Sequence, residues 1–92
     1  MTKGDIVNRI SAATGLTKKD TAMVVDGVLD AIAEALARKE RIEIRGFGVF
    51  KVVKRAPRVA RNPKARKEIR IPERLMPVFK PSKNLRKRIS AE

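Results

Sequence analysis

The chain has 92 residues and a formal net charge of +13, with 23 lysines and arginines against 10 acids, and it contains no cysteine and no histidine. That composition admits one small domain and excludes a disulfide framework, a thiolate nucleophile, cysteine or histidine metal ligation and the commonest general base. The charge is unevenly placed: residues 1–50 carry eight basic and seven acidic side chains, and residues 51–92 carry fifteen and three. The expected division is a neutral half that folds and a basic half that meets a polyanion. The N-terminus opens no apolar run, so neither a signal peptide nor a membrane span is expected, and a soluble, cytoplasmic protein is.

In chain order, Thr2 with Asp5 three residues on reads as a capping box that starts a short helix. Ile6, Val7, Ile10 and Ala13 share one face of it, and Gly15 is its natural stop. Thr17 and Asp20 read as a second capping box, for a longer helix over about residues 18–38. The stripe Val24, Val25, Val28, Leu29, Ile32, Ala33 and Leu36 has the three-four spacing of a buried face. Two helices joined by so short a turn are expected to form a helical hairpin. Asp26, Asp30 and Glu34, at helical spacing beside that stripe, read as a solvated face rather than paired catalytic carboxylates, so no enzyme activity and no cofactor are expected.

The period then changes. Arg41-Ile42-Glu43-Ile44-Arg45 alternates strictly and predicts a strand with one face buried. Gly46 and Gly48 bracket a tight turn, after which Val49–Lys54 returns as a second strand. Residues 54–70 hold eight lysines and arginines against one acid, Glu68, and no large aromatic or leucine cluster. A basic, apolar-poor ribbon between two strands is suited to lie along a polyanion. Glu68-Ile69-Arg70-Ile71 alternates again; Pro72 and Pro77 make this third strand bent or an edge. Pro81-Ser82 opens a short basic C-terminal helix with Ser82 as N-cap.

The order helix-helix-strand-strand-arm-strand-helix predicts an α+β domain. It consists of a helical hairpin (1–40), a three-stranded antiparallel sheet (41–53 and 72–81), a long β-ribbon arm (54–71) and a C-terminal helix (82–92). Because the ribbon buries nothing, roughly seventy residues must supply the core, a size at which one core is marginal. All three aromatics, Phe47, Phe50 and Phe79, fall on the sheet. An open face carrying them is expected to be covered by a second copy of the chain rather than by the helices alone.

The stretches Arg41–Phe50, Arg55-Ala56-Pro57-Arg58, Arg61-Asn62-Pro63 and Phe79-Lys80-Pro81 resemble the bacterial HU and integration host factor family over nearly the whole chain. The resemblance implies an intertwined dimer with two β-ribbon arms that wrap duplex DNA through the minor groove. It implies that Pro63 wedges between base pairs with Asn62 beside it, and that Arg55, Arg58 and Arg61 line the arm. Lys3, Lys80, Lys83 and Arg86 match phosphate-clamping positions on the body, Gly46 matches a main-chain phosphate contact, and Phe47, Phe50 and Phe79 match a dimer core. The other ribbon cations, Lys54, Lys64, Arg66, Lys67 and Arg70, are expected to contact DNA with them.

The physics agrees with these roles. A ribbon-tip proline forfeits no ladder hydrogen bond. Inserted at a base step it unstacks the pair, which costs roughly a few kcal/mol, and the bend lets more basic surface reach the backbone. Taken alone, Pro63 after Asn62 reads equally as a turn residue, and Lys87 and Arg88 as favourable charge at a helix C-terminus. The family carries a glycine before the Arg-Asn-Pro and a Thr-Gly one residue after it, where this chain has Ala60 and Ala65-Arg66. Losing two residues that take positive φ readily predicts a stiffer arm that binds DNA but bends it to a different extent.

No element reads as a major-groove recognition helix, and the minor groove carries a degenerate code. The expected function is therefore that of a histone-like architectural protein which binds duplex DNA with little sequence specificity and bends or compacts it in the nucleoid. A site-specific role like that of integration host factor, with a related subunit in a heterodimer, stays open. RNA stays open as a secondary ligand. Arg45-Gly46-Phe47-Gly48 begins like an RNA-recognition motif, but Val49 and Val52 stand where that motif needs aromatics. A membrane-surface role lacks a hydrophobic helical face in the ribbon.

Overall fold

The computed structural model describes residues 1–62 and 67–90. In chain order it forms α1 (Lys3–Thr14), α2 (Lys18–Ala37), β1 (Ile42–Ile44), β2 (Gly48–Arg55), β3 (Arg58–Asn62), β4 (Lys67–Ile71), β5 (Arg74–Pro81) and α3 (Lys83–Ser90). These divide into two units, Met1–Ala35 and Leu36–Glu92. No helix among the described residues is long and apolar enough to cross a membrane.

In the helical unit the caps are where the sequence places them. The Thr2 hydroxyl accepts a hydrogen bond from the Asp5 N–H (3.3 Å), and the Asp5 carboxylate accepts one from the Thr2 N–H (2.8 Å). Two of the orphan donors of the helix start are thereby satisfied. Gly15 takes a left-handed φ of 78° and donates to the Ser11 carbonyl, a conformation that strains any residue with a Cβ. The Thr17 hydroxyl likewise accepts from the Asp20 N–H at 3.1 Å.

Burial departs from the expected stripe. Among the described residues Val7 and Ala35 are the buried apolar side chains and Thr21 the buried polar one, its hydroxyl donating to the Thr17 carbonyl at 2.8 Å. Val24, Val28 and Leu29 stay 61%, 53% and 49% exposed. With Ile6, Ile10 and Val25 they line an apolar groove of about 430 Å³ between the two helices. The pattern that reads as a buried face is real, but one copy of the chain leaves it open.

In the second unit the sheet order is β1–β2–β5, all antiparallel, and β3–β4 form a separate two-stranded ribbon. Phe50 lies opposite Phe79 in the β2–β5 ladder with ring centroids 4.7 Å apart, and Phe47 sits 5.2 Å from Phe79. Gly48 makes this packing possible: a Cβ there would meet Phe79 Cε1 at 2.5 Å and the Lys80 carbonyl oxygen at 2.6 Å. Even so, Phe47 is 44% exposed and Phe79 39%.

The two prolines act differently. Pro77 stands within β5, opposite Val52, and is tolerated because β5 is an edge strand. Pro72 ends β4. It lies with Glu73 across from Ala56 and Pro57, between the pairs Arg55↔Arg74 and Arg58↔Ile71. Two residues separate the ladders on each strand, so the register passes through without a slip. Only the hydrogen bonding lapses, where two prolines supply no N–H.

Candidate nucleic-acid interface

The ribbon is built from β3 and β4 with Arg58 opposite Ile71, Val59 opposite Arg70, Ala60 opposite Ile69, Arg61 opposite Glu68 and Asn62 opposite Lys67. Opposed residues share a face and successive residues change face. Arg58 therefore shares its face with Ala60, Ile69 and Ile71, and Arg70 shares the other with Val59. Arg61 has the register position of the second set. Val59 and Ile69 are each more than half exposed, so the ribbon is uncovered on both sides. Its root, formed by Pro57, Arg58, Val59, Arg70, Ile71 and Pro72, lines a shallow, largely apolar depression of about 370 Å³. Rigid apolar surface rimmed by guanidinium groups suits sugar edges flanked by phosphates. Pro63, Lys64 and Arg66 lie outside the described residues.

On the body, pleating sorts the cations in a way that charge alone does not. Val49↔Lys80, Lys51↔Val78, Val53↔Met76 and Arg55↔Arg74 occupy one face of β2–β5. Phe50↔Phe79, Val52↔Pro77 and Lys54↔Leu75 occupy the other. Lys54, expected at the DNA, is thus on the phenylalanine side, and its ammonium is 3.0 Å from the Glu73 carboxylate. Lys51 and Arg74, not among the residues expected at the DNA, share the face of Arg55 and Lys80. Stepping back by twos from Arg55 would have found Lys51; Arg74 needed the strand pairing.

A second basic surface is the cleft between the β1–β2 turn and the start of α3. Gly46 holds φ at 80°, the Phe47 N–H donates to the Ile44 carbonyl at 3.0 Å, and the Ser82 N–H donates to the Phe47 carbonyl at 2.9 Å. The turn is thereby tied to α3. Ser82 caps α3, its hydroxyl accepting from the Leu85 N–H at 3.1 Å and its carbonyl from the Arg86 N–H at 3.0 Å. Arg41, Arg45, Gly46, Lys80 and Ser82 are among the residues lining the resulting cleft of about 310 Å³. Lys83 and Arg86 rise from α3 beside it, where the positive end of the helix dipole also favours an anion.

Lys3, on the helical unit, already has a partner: its Nζ lies 2.8 Å from Asp26 Oδ1, both side chains being exposed. That hydrogen bond, and then the attraction of the same carboxylate, raise Lys3 above its ordinary value of 10.5, with Asp30 adding a little and desolvation opposing. A phosphate would have to compete with Asp26 for this ammonium.

Comparison with known proteins places these features. The family described as bacterial DNA-binding protein matches residues 1–90. The DNA-binding protein HU of Thermotoga maritima is 45% identical over 89 residues, covering 97% of this chain and 99% of that protein. The integration host factor subunit beta of Herminiimonas arsenicoxydans is 45% identical over 92 residues, covering 99% and 91%. Among solved structures, an Anabaena HU–DNA cocrystal superposes with a TM-score of 0.91 over 100% of both chains at 30% identity. The chain belongs to the bacterial DNA-binding protein family, alongside the HU and integration host factor proteins it matches.

Proposed function

We propose that this protein is an architectural DNA-binding protein of the nucleoid, which binds duplex DNA through the minor groove with little sequence preference and bends or compacts it. The observation that carries the reading is the free β3–β4 ribbon, open on both faces and lined with arginines, continuing in register from a sheet face that carries Lys51, Arg55, Arg74 and Lys80. Arginine suits the narrow, electronegative minor groove because its guanidinium is weakly hydrated and planar. Affinity then comes mostly from release of counterions and falls steeply with salt.

The working form is a dimer. The groove of Ile6, Ile10, Val24, Val25, Val28 and Leu29, together with the half-exposed phenylalanines, is apolar surface that a second copy would cover. A heterodimer with a related subunit is the second reading, favoured by relatives named as integration host factor subunit beta that match as closely as HU does.

End-to-end fluorescence transfer on two unrelated duplexes of equal length, titrated at two salt concentrations, tests the function. Both duplexes are expected to shorten end to end and to bind more weakly at the higher salt. Binding without shortening would mean coating or bridging instead of bending, and shortening of one duplex alone would favour the site-specific reading.

A further inference from the structure

We infer that Arg55 and Arg74 form a clamp for a DNA backbone phosphate at the root of the ribbon, a site that depends on the DNA-binding reading above. The two arginines are directly opposed on one face at the last rung of the β2–β5 ladder. Opposed residues in an antiparallel pair hold their Cβ atoms about 5 Å apart, and like charges placed so are destabilising. Neither arginine forms an ion pair among the described residues. Arg74 is half-buried, and its Nη1 is fully buried with no hydrogen-bond partner among the described residues. A buried guanidinium nitrogen without an acceptor is costly.

The opposite face provides the contrast. Lys54, one residue before Arg55 and on the opposite face, has its charge met by Glu73, one residue before Arg74, at 3.0 Å. Among the described residues a carboxylate thus meets the lysine on the phenylalanine side, and none meets the pair of arginines on the other. Beyond them the ladder lapses at Pro57 and Pro72, which have no N–H to offer and restrict the backbone. Two opposed guanidinium groups that no carboxylate meets among the described residues, at the junction of body and arm, match a phosphodiester. Its two non-bridging oxygens each accept a charge-assisted hydrogen bond. Bound there, a phosphate relieves the repulsion and fixes the DNA where the ribbon leaves the body.

The test uses the full-length protein and a random-sequence duplex over a series of salt concentrations, with thermal unfolding measured in the absence of DNA. Arg74→Met is expected to weaken binding by about tenfold at fixed salt. It is also expected to raise the melting temperature of the free protein, because it removes a repelled, unsatisfied group. Arg74→Lys keeps the charge and is expected to retain most of the affinity. In the double variant Arg55→Met/Arg74→Met, the slope of log affinity against log salt falls by about two, one phosphate for each chain of a dimer.

Unchanged affinity and slope in these variants, beside normal salt-dependent binding by the unmodified protein, would overturn the clamp alone. So would a lowered melting temperature with DNA binding intact, which would make Arg74 a structural residue whose acceptor comes from the second copy. An unmodified protein that binds no DNA would overturn the functional reading and the clamp with it.

Discussion

The helical unit and the sheet-and-ribbon unit are both incomplete, in opposite ways. Met1–Ala35 has nearly balanced charge, satisfied caps and an ion pair for Lys3, yet leaves Val24, Val28 and Leu29 about half exposed or more. Leu36–Glu92 contains its aromatic cluster and pairs Lys54 with Glu73, yet among the described residues Arg55 and Arg74 meet no acid. The first lacks apolar cover; the second, whose Phe47 and Phe79 are also part exposed, lacks anions as well. A hydrophobic deficit can be met by a second copy of the same surface, whereas a deficit of negative charge calls for a different kind of molecule. Self-association and DNA binding are therefore separable at the level of residues.

The most disruptive way to break this separation is to place a charge in the groove. Val28→Glu is expected to abolish dimer formation and, through it, DNA binding, because an unpaired carboxylate buried at an interface costs several kcal/mol. Sedimentation equilibrium should find a monomer or an unfolded chain; a dimer of unaltered stability would mean that the groove is not the interface. Next in size is Gly48→Ala. It forces a Cβ against the Phe79 ring and the Lys80 carbonyl and is expected to destabilise by about 1–3 kcal/mol in denaturant unfolding.

Two smaller changes sharpen the contrast within the basic half and the neutral one. Arg66→Gly restores a glycine that the family carries beyond the Arg-Asn-Pro, and is expected to change the DNA bend angle with little effect on stability. An unchanged bend would show that the tip residues do not set it. Asp26→Asn frees Lys3 and removes a negative charge from the helical unit, so DNA affinity is expected to rise slightly. Because the pair holds Lys3 above 10.5 in the folded state, its stabilisation is present below that pH and is lost as pH rises through the raised value. The variant should therefore lose the part of the alkaline destabilisation that comes from this pair, as read by melting temperature above pH 10.5.

Local grammar made much of the fold legible. Caps act within four residues, so Thr2, Asp5, Gly15 and Thr17 declare the helix ends, and strict alternation at Arg41–Arg45 declares a strand. The apolar stripe of α2 was equally clear, but an amphipathic pattern states that a face wants cover without stating whose. The basic run marked the ribbon, while its charge count was blind to pleat and register. It grouped Lys54 with Arg55 although they lie on opposite faces, and it passed over Arg74 because its partner is 19 residues away in the chain. Long-range pairing is what a composition window cannot see.

The ribbon has a further consequence, for solubility. Two strands standing free of a sheet present an open edge on each side, with backbone groups available to any other strand. Pro77 blunts the outer edge of β5, and along the ribbon mutual repulsion between the arginines and lysines of two molecules keeps their strands apart. The side chains that attract DNA thus also guard the unbound protein against strand-to-strand aggregation. A ribbon stripped of its charge to weaken DNA binding is expected to bring the protein out of solution.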